Sequence, residues 1–398
     1  MSSQLQDEIN GFERTILSSS ILIVEDNEIS RLFLERTLRG AGYQNVRAVC
    51  SAKEAFNALQ HIQPELIILD IIMPETDGFD CCKEIRRRLG TNKLPVLIQT
   101  VLTEPELRVK AFTMGATDFI SKPVFPAELC ARVRVHLEKS LSLKSLQQYK
   151  ERIEYELKAA RELQLSILPH PHDIRAACQN GKLDVSALFK PALEIGGDCW
   201  GMKNISQENH AFWLADFSGH GVASALNTFR LQAYLREYCT IMTRPGDYLT
   251  YLNDKLRHLL MRGQFATMFY ALVDTRKDVM QYSCACSPHP IIRHGDTGQV
   301  KVIDGSGVPL GVGMELYRTL EAPFRPGDMI VLYSDALVET EDHSGRYIGE
   351  GELVMWLSQC AKDFTAEQVK QYIAEQFTGR VGANVSDDLT LVVIRHAG

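Results

Sequence analysis

Three successive patterns predict a multidomain chain of 398 residues: a doubly wound α/β domain, a helical coiled-coil linker and an α+β domain. Residues 20–137 alternate short apolar runs with amphipathic stretches, which predicts a parallel sheet with helices on both faces. Residues 138–168 contain no Gly or Pro and are rich in Glu, Lys, Leu and Gln, which predicts one long helix. Residues 169–398 carry strands in runs rather than in strict alternation, which favours antiparallel sheets in a mixed α+β domain. Residues 1–19 form an N-terminal extension to these three.

Within the first segment, ILIVED reads as a buried strand ending in acids, and SRLFLERTLRGAG as a helix with a glycine stop. LIILDIIMPETDG is an apolar strand running into a turn of Pro, Asp and Gly. LPVLIQT and TDFISKP complete the set. Chemistry in such sheets sits at the carboxyl ends of strands, where Glu25, Asp26, Asp70, Thr100 and Lys122 all fall. In the linker, Leu146, Ile153, Ala160 and Ile167 recur every seven residues, with Tyr149, Glu156 and Leu163 on the second seam. This flawed heptad predicts a dimeric coiled coil, stopped by the prolines after 168. In the last segment AFWLADF, FATMFYALVD, MQYSCAC, DMIVLYSD and LTLVVIRH read as strands, with helices at 222–240 and 246–262.

Composition narrows the function classes. Apolar content of 45% and charged content of 23% are those of an ordinary globular chain. The net charge of −7 offers no field for nucleic acid. The first 17 residues lack the basic start and apolar centre of a secretory signal, and no apolar run approaches the ~18 residues of a membrane span. The ten cysteines lack paired zinc-ligand spacing and read as reduced thiols of a cytoplasmic protein.

Glu25, Asp26 and Asp70 at neighbouring strand ends can hold one hard divalent cation such as Mg²⁺. The cation would offset repulsion between Asp70 and an incoming phosphoryl donor and leave that carboxylate free to act as a nucleophile. Lys122 can pair with phosphoryl oxygens, and the Thr100 hydroxyl can donate to them. VEDN, LDIIMPETDG, QT and FISKP succeed one another with spacings of 44 (Asp26 to Asp70), 30 (to Thr100) and 22 (to Lys122). In this order and spacing, residues 20–137 resemble a response-regulator receiver domain with a flavodoxin-like fold. The resemblance implies Asp70 as phosphoacceptor, Mg²⁺ held by Glu25, Asp26, Asp70 and the Ile72 carbonyl, and Thr100, Phe119 and Lys122 as the switch residues. It also implies a sensor histidine kinase or phosphotransfer protein as phosphate source. Val101 stands where the family often has Ala.

A second set of acids lies at the ends of apolar strands in the last segment: Asp198 in EIGGDCW, Asp216 in LADFSGHG, Asp335 in VLYSDALVET, and Asp387 and Asp388 in VSDDLTLVVI. Carboxylates without His or Cys partners suit Mg²⁺ or Mn²⁺, and two such ions can drive hydrolysis of a phosphate ester. ARELQLSILP, GGD, ADFSGHGVASAL, FATMFYALVD, GVPLGVG, RPGDMIVLYSDALVET and SDDLTLVVI run in order from residue 159 to the C-terminus. The segment resembles the PP2C-type serine/threonine phosphatases of the bacterial stress-response and sporulation branch. That resemblance implies an α+β PP2C-like sandwich. It also implies two Mn²⁺ or Mg²⁺ held by Asp198, Asp216, Asp335, Asp387 and the Phe217 carbonyl, with Asp198 and Asp216 as the catalytic pair. Asp388 is expected to bond locally, His220 to be structural and Lys190 to be solvated. The family's Gly after the third acid is Ala336 here, a strained position if its φ is positive, and its Asn-Ala-Gly-His stretch is Cys284-Ala285-Cys286-Ser287.

The expected protein is a homodimeric response regulator whose output is metal-dependent dephosphorylation of a phosphoprotein. By family resemblance the substrate is an anti-sigma-factor antagonist. The rival expectation is a catalytically silent adaptor that sequesters such a partner. Neither nucleic acid nor membrane is an expected partner.

Overall fold

The computed structural model describes residues 3–398 except 75–76, 90–93, 101–104, 171, 173, 176–177, 179–181, 220, 239–243, 383–384 and 386, with the side chains of 3–9, 105–108 and 236–238 also outside the description. The chain divides into two compact units, Met1–Ile153 and Glu154–Gly398.

The first unit opens with a helix, α1 (Ser3–Leu17), on the segment that reads from sequence only as an extension. β1 (Ser20–Val24), β2 (Asn45–Val49), β3 (Leu66–Asp70), β4 (Val96–Thr100) and β5 (Asp118–Ser121) pair in the order β2-β1-β3-β4-β5. Every pairing is parallel, and the doubly wound expectation is borne out. β1, β3 and β4 are almost wholly buried, as strands covered on both faces must be. α2 (Glu28–Gly40), α3 (Ala52–Ala58), α4 (Gly78–Leu89) and α5 (Pro105–Thr113) connect them. Asn27 and Ser51 cap α2 and α3, their side-chain oxygens accepting from Ser30 N and Glu54 N.

The linker helix begins earlier than its composition suggests. α6 runs unbroken from Pro126 to Ile167, not from 138. Its first part is amphipathic, with Leu129, Val133 and Leu137 buried beside Ile16, Ile21 and Leu97. The sequence offers no Gly or Pro to separate this packed part from the rest of the helix. Residues 142–156 are exposed all round, and Gln164 is buried again.

In the second unit two five-stranded antiparallel sheets stack. One has the order β13-β10-β9-β8-β7, built from β7 (Asp198–Asn204), β8 (Asn209–Phe217), β9 (Ala266–Asp274), β10 (Val279–Ala285) and β13 (Leu320–Pro323). The other has the order β12-β11-β14-β15-β6, from β6 (Leu183–Lys190), β11 (Ile291–Arg293), β12 (Val300–Val302), β14 (Met329–Tyr333) and β15 (Leu389–His396). Trp200, Phe212, Phe269 and Met280 from the first sheet meet Ile292, Ile330, Leu332 and Val392 from the second in one core. α7 (Val222–Tyr238) and α8 (Pro245–Arg257) cover the outer face of the first sheet. α10 (Gly349–Gln359) and α11 (Ala366–Val381) cover that of the second, with a short α9 (Ala336–Glu339) beside them. This is the expected α+β sandwich. α8 ends sooner than expected, because residues 259–265 fold into a turn in which Gln264 N donates to Met261 O and Gly263 takes φ +85°. Among the described residues no helix is long and apolar enough to cross a membrane.

One close approach fixes the sandwich. Gly201 lies directly across from Trp213 on the neighbouring strand, and a Cβ there would sit 2.2 Å from the indole ring. Gly201→Ala is therefore expected to destabilise this unit by about 1–3 kcal/mol. At a few degrees per kcal/mol for a domain of this size, a thermal melt reads the loss.

Candidate functional site

In the first unit the acids after β1 and at the end of β3 converge. Carboxylate oxygens of Glu25, Asp26 and Asp70 lie within 4.8 Å of one another. Lys122, just past β5, bridges two of them: its Nζ donates to Asp70 Oδ2 at 2.7 Å and to Glu25 Oε2 at 2.9 Å. Burial raises the Glu25 pKa against the opposing bond from Lys122. Burial pulls the Lys122 ammonium down, but its bonds to Asp70 and Glu25 outweigh that and hold it above its usual value. Asp70 pairs with Gln99 across β3 and β4, which places Thr100 one residue further along the adjacent strand end. Lys122 N donates to Thr100 O at 2.8 Å. Ile72 is exposed, its N–H 3.4 Å from Asp70 Oδ1. Phe119 on β5 is half-buried, edge-on to Phe112 at 6.3 Å and under the Arg132 guanidinium at 5.7 Å. Gly78 is required here, since a Cβ would lie 2.3 Å from the Asp70 carbonyl.

In the second unit Asp198 and Asp216 face each other in register across β7 and β8. Asp198 is buried; its Oδ2 accepts from Thr390 Oγ1 at 2.5 Å and its Oδ1 has no partner among the described residues. Burial and then the Asp216 charge push its carboxyl well above the carboxylate range. Asp216 is pushed up to about 8 by burial, then by the charges of Asp335, Asp387 and Asp388. Asp335 stands before α9 with no side-chain cap bond, and burial followed by the Asp387 charge raises it too. Asp387 is exposed, its Oδ1 accepting from Asp388 N at 2.8 Å. The four acids thus feel one another electrostatically, yet among the described residues only the Glu25–Asp26–Asp70 trio brings three acid groups within 4.8 Å. Phe217 buries its ring among the residues under α7 and α8, while its carbonyl faces Gly197.

The family described as Stage II sporulation protein E (SpoIIE) matches residues 206–397, and that described as the response regulator receiver domain matches residues 21–134. The chain joins a response-regulator receiver to a SpoIIE/PP2C-type phosphatase domain. Over the receiver it is 34% identical across 127 residues to the transcriptional regulatory protein YvrH of Bacillus subtilis, covering 32% of this chain and 52% of that protein. It is 37% identical across 120 residues to the DNA-binding regulator RpaA of Synechocystis, covering 30% and 49%. The chain thus spans about half the length of these curated relatives. The PP2C domain of SiaA from Pseudomonas aeruginosa superposes with a TM-score of 0.55 at 22% identity, over 62% of this chain and 98% of that domain, and so shares its fold.

Around the phosphatase-domain acids, several supports are invisible in the sequence. Asp388 does not bond locally as expected: its carboxylate accepts from Ala192 N at 2.8 Å and Gly197 N at 2.5 Å, nearly 200 residues away. Both glycines of GGD are explained by it and by Phe217, since a Cβ on Gly196 would lie 2.3 Å from the Asp388 carboxylate and one on Gly197 2.8 Å from the Phe217 carbonyl. Gln164, in the last turn of α6, clasps the same loop with both ends of its amide: Nε2 donates to Gly196 O at 2.7 Å and Oε1 accepts from Gly196 N at 3.1 Å. In the receiver, Arg31 Nη1 donates to the Glu25 and Asp26 carbonyls at 2.9 and 3.0 Å and so fixes the acid-bearing loop. Only the ARELQLSILP motif hints at Gln164; nothing in the sequence marks Thr390 or Arg31.

The departures from the family pattern also find their place. Ala336 is buried and outside the positive-φ residues, so its methyl brings no backbone strain. The left-handed conformation is at Cys286, φ +55°, where the family has its Gly. Cys286 lines a cavity of about 360 Å³ with Asp216, Asp335, His289 and Glu350. Lys190 is exposed at the end of β6. His220 and Val101 lie outside the described residues. Mutually repelling carboxylates, of which Asp198 is buried with an orphaned oxygen, form a donor set that fits hard divalent cations.

Proposed function

We propose that the chain is a phosphorylation-controlled, metal-dependent phosphatase of phosphoserine or phosphothreonine on a protein. The observation that carries the reading is the convergence of Asp198, Asp216 and Asp335, each with its carboxyl pushed up by burial and by neighbouring acids. Asp198, Asp216, Asp335, Asp387 and the Phe217 carbonyl would hold the phosphatase ions, which supply an activated water and charge neutralisation for in-line displacement. Thr390 and Asp388 hold Asp198 and its loop in place for that task. The substrate we favour is an anti-sigma-factor antagonist.

In the receiver, Glu25, Asp26, Asp70 and the Ile72 carbonyl would hold Mg²⁺. The Asp70 carboxylate attacks the phosphorus of a phosphohistidine on a kinase or phosphotransfer protein, forming an acyl phosphate and freeing the imidazole. Lys122, already bonded to Asp70, pairs with the new phosphoryl oxygens, and Thr100 donates its hydroxyl to them. Phe119 is the aromatic that reports the change. We assign the receiver to 20–137, the coiled-coil linker of a homodimer to 138–168 and the phosphatase segment to 169–398, in a cytoplasmic protein.

Phosphate release from a phosphoprotein, with and without Mn²⁺, tests the reading; binding without turnover would favour the silent adaptor. Four residues inserted after Ala159 add about 40° beyond a full helical turn. The insertion is expected to leave labelling of Asp70 and basal hydrolysis intact and to abolish the response of hydrolysis to that labelling. An unchanged response would make the linker a passive tether.

A further inference from the structure

The phosphatase domain carries an exposed apolar surface beside its acids. Met261 is 74% exposed, Met314 85%, Val312 59%, Val222 53%, Leu226 55% and Phe265 36%. Hydrogen bonds and contacts bring these side chains together from three segments. Phe265 N donates to Ser218 Oγ and Ser218 N to Phe265 O, each at 2.9 Å, so the patch begins two residues from Asp216. A Cβ on Gly311 would lie 2.6 Å from Leu260 Cδ1, which places the loop carrying Val312 and Met314 against the turn carrying Met261. Asn253 fixes that loop, accepting from Gly311 N and donating to Gly313 O, both at 2.8 Å. Gln264 Oε1 accepts from Met261 N at 3.1 Å and from Asn227 Nδ2 at 3.4 Å, tying the turn to α7. The apolar side chains are therefore held outward by a bonded scaffold.

We propose that this surface docks the phosphorylated protein substrate, an inference that rests on the phosphatase reading above. A phosphoryl group on a protein cannot reach Asp216 without the protein lying across neighbouring surface, and this patch is continuous with that strand end. Exposed apolar area of this kind marks interaction sites, and Met and Arg are enriched in interfaces, Met because its side chain adapts to the partner. The rim is mixed in charge: Arg262 is exposed next to Met261, Arg230 continues the α7 face at the i, i+4, i+8 spacing of Val222 and Leu226, and Glu315 is exposed beside Met314. The partner is thus a phosphorylated protein that presents an apolar face beside its phosphorylated residue.

The test uses the full chain with Mn²⁺ and two probes, p-nitrophenyl phosphate and phosphoserine-bearing casein. Met261→Glu with Met314→Glu removes the apolar surface; Met355→Glu, on the exposed face of α10, is the control. The double variant is expected to raise KM for casein about 10-fold or more, the loss of a contact worth ~1.4 kcal/mol. Turnover of p-nitrophenyl phosphate should stay within about twofold, and the control should behave as wild type. An unchanged KM for casein overturns the docking surface, as does an equal loss on both probes. A fall in sedimentation mass without a KM change does so too, because a second copy would then be the occupant. Wild type that hydrolyses neither probe overturns the phosphatase reading itself, and the docking surface with it.

Discussion

Asp216→Asn is expected to yield a folded protein whose metal-dependent phosphatase activity falls by more than about 100-fold. Disturbing residues that merely support a metal ligand costs 10–100-fold, and Asp216 is proposed as a ligand. The substitution also has a signature independent of turnover. The Asp216 carboxyl sits at about 8 in the metal-free protein, against an ordinary unfolded value near 3.9. Between those values the folded state keeps a proton that the unfolded state has lost. Stability is therefore present at low pH and falls as pH rises toward 8. Metal-free wild type should melt several degrees lower at pH 8 than at pH 5, and divalent cation should restore the difference. Asp216→Asn, unable to ionise, should lessen that pH dependence in the presence of chelator, with Asp198 and Asp335 still contributing to it, and should lose the rise on adding Mn²⁺. Melting curves at the two pH values, alongside phosphate release, read both effects. Undiminished turnover would remove Asp216 from the ligand set.

Asp70→Ala is expected to abolish phosphoryl labelling of the receiver. Wild type with Mg²⁺ should approach one label per chain from acetyl phosphate and should respond to beryllofluoride; the variant should stay at background on both. The fold should persist, because Lys122 keeps its 2.9 Å bond to Glu25 when Asp70 is gone and so is not left as an uncompensated buried charge. Basal phosphatase turnover should also survive in the variant while its regulation is lost. Mass spectrometry of the intact chain gives the stoichiometry, and equal labelling of wild type and variant would place the phosphoacceptor elsewhere.

Much of the architecture is legible in the sequence because its periodicities are local. LIILD reads as a strand whatever its neighbours, since five buried apolar or terminal positions in a row leave few alternatives. Acids at strand ends are equally visible, because a charge closing an apolar run is conspicuous. What the sequence hides is long-range. The Thr390–Asp198 and Asp388–Gly197 bonds join positions about 190 residues apart, and no spacing rule reaches that far. The start of α6 is hidden for the opposite reason: nothing local marks the passage from the packed stretch at Leu129–Leu137 to the exposed one. Cys286 shows a third limit, since its left-handed backbone is dictated by the turn it occupies rather than by the residue present.

The bare middle of α6 has a consequence for where the chain opens first. Its beginning is held by Leu129, Val133 and Leu137 in one core, and its end by the Gln164 amide. The fifteen or so residues between, about four turns, bury nothing of their own. An isolated helix of that length is marginal in water. Amide hydrogens in 142–156 are therefore expected to exchange through local fraying long before either core unfolds, with protection climbing toward both anchors. Covering the stripe of Leu146, Tyr149 and Ile153 would slow that exchange without changing the path of the backbone, so a pairing of linkers would be read as a longer amide lifetime.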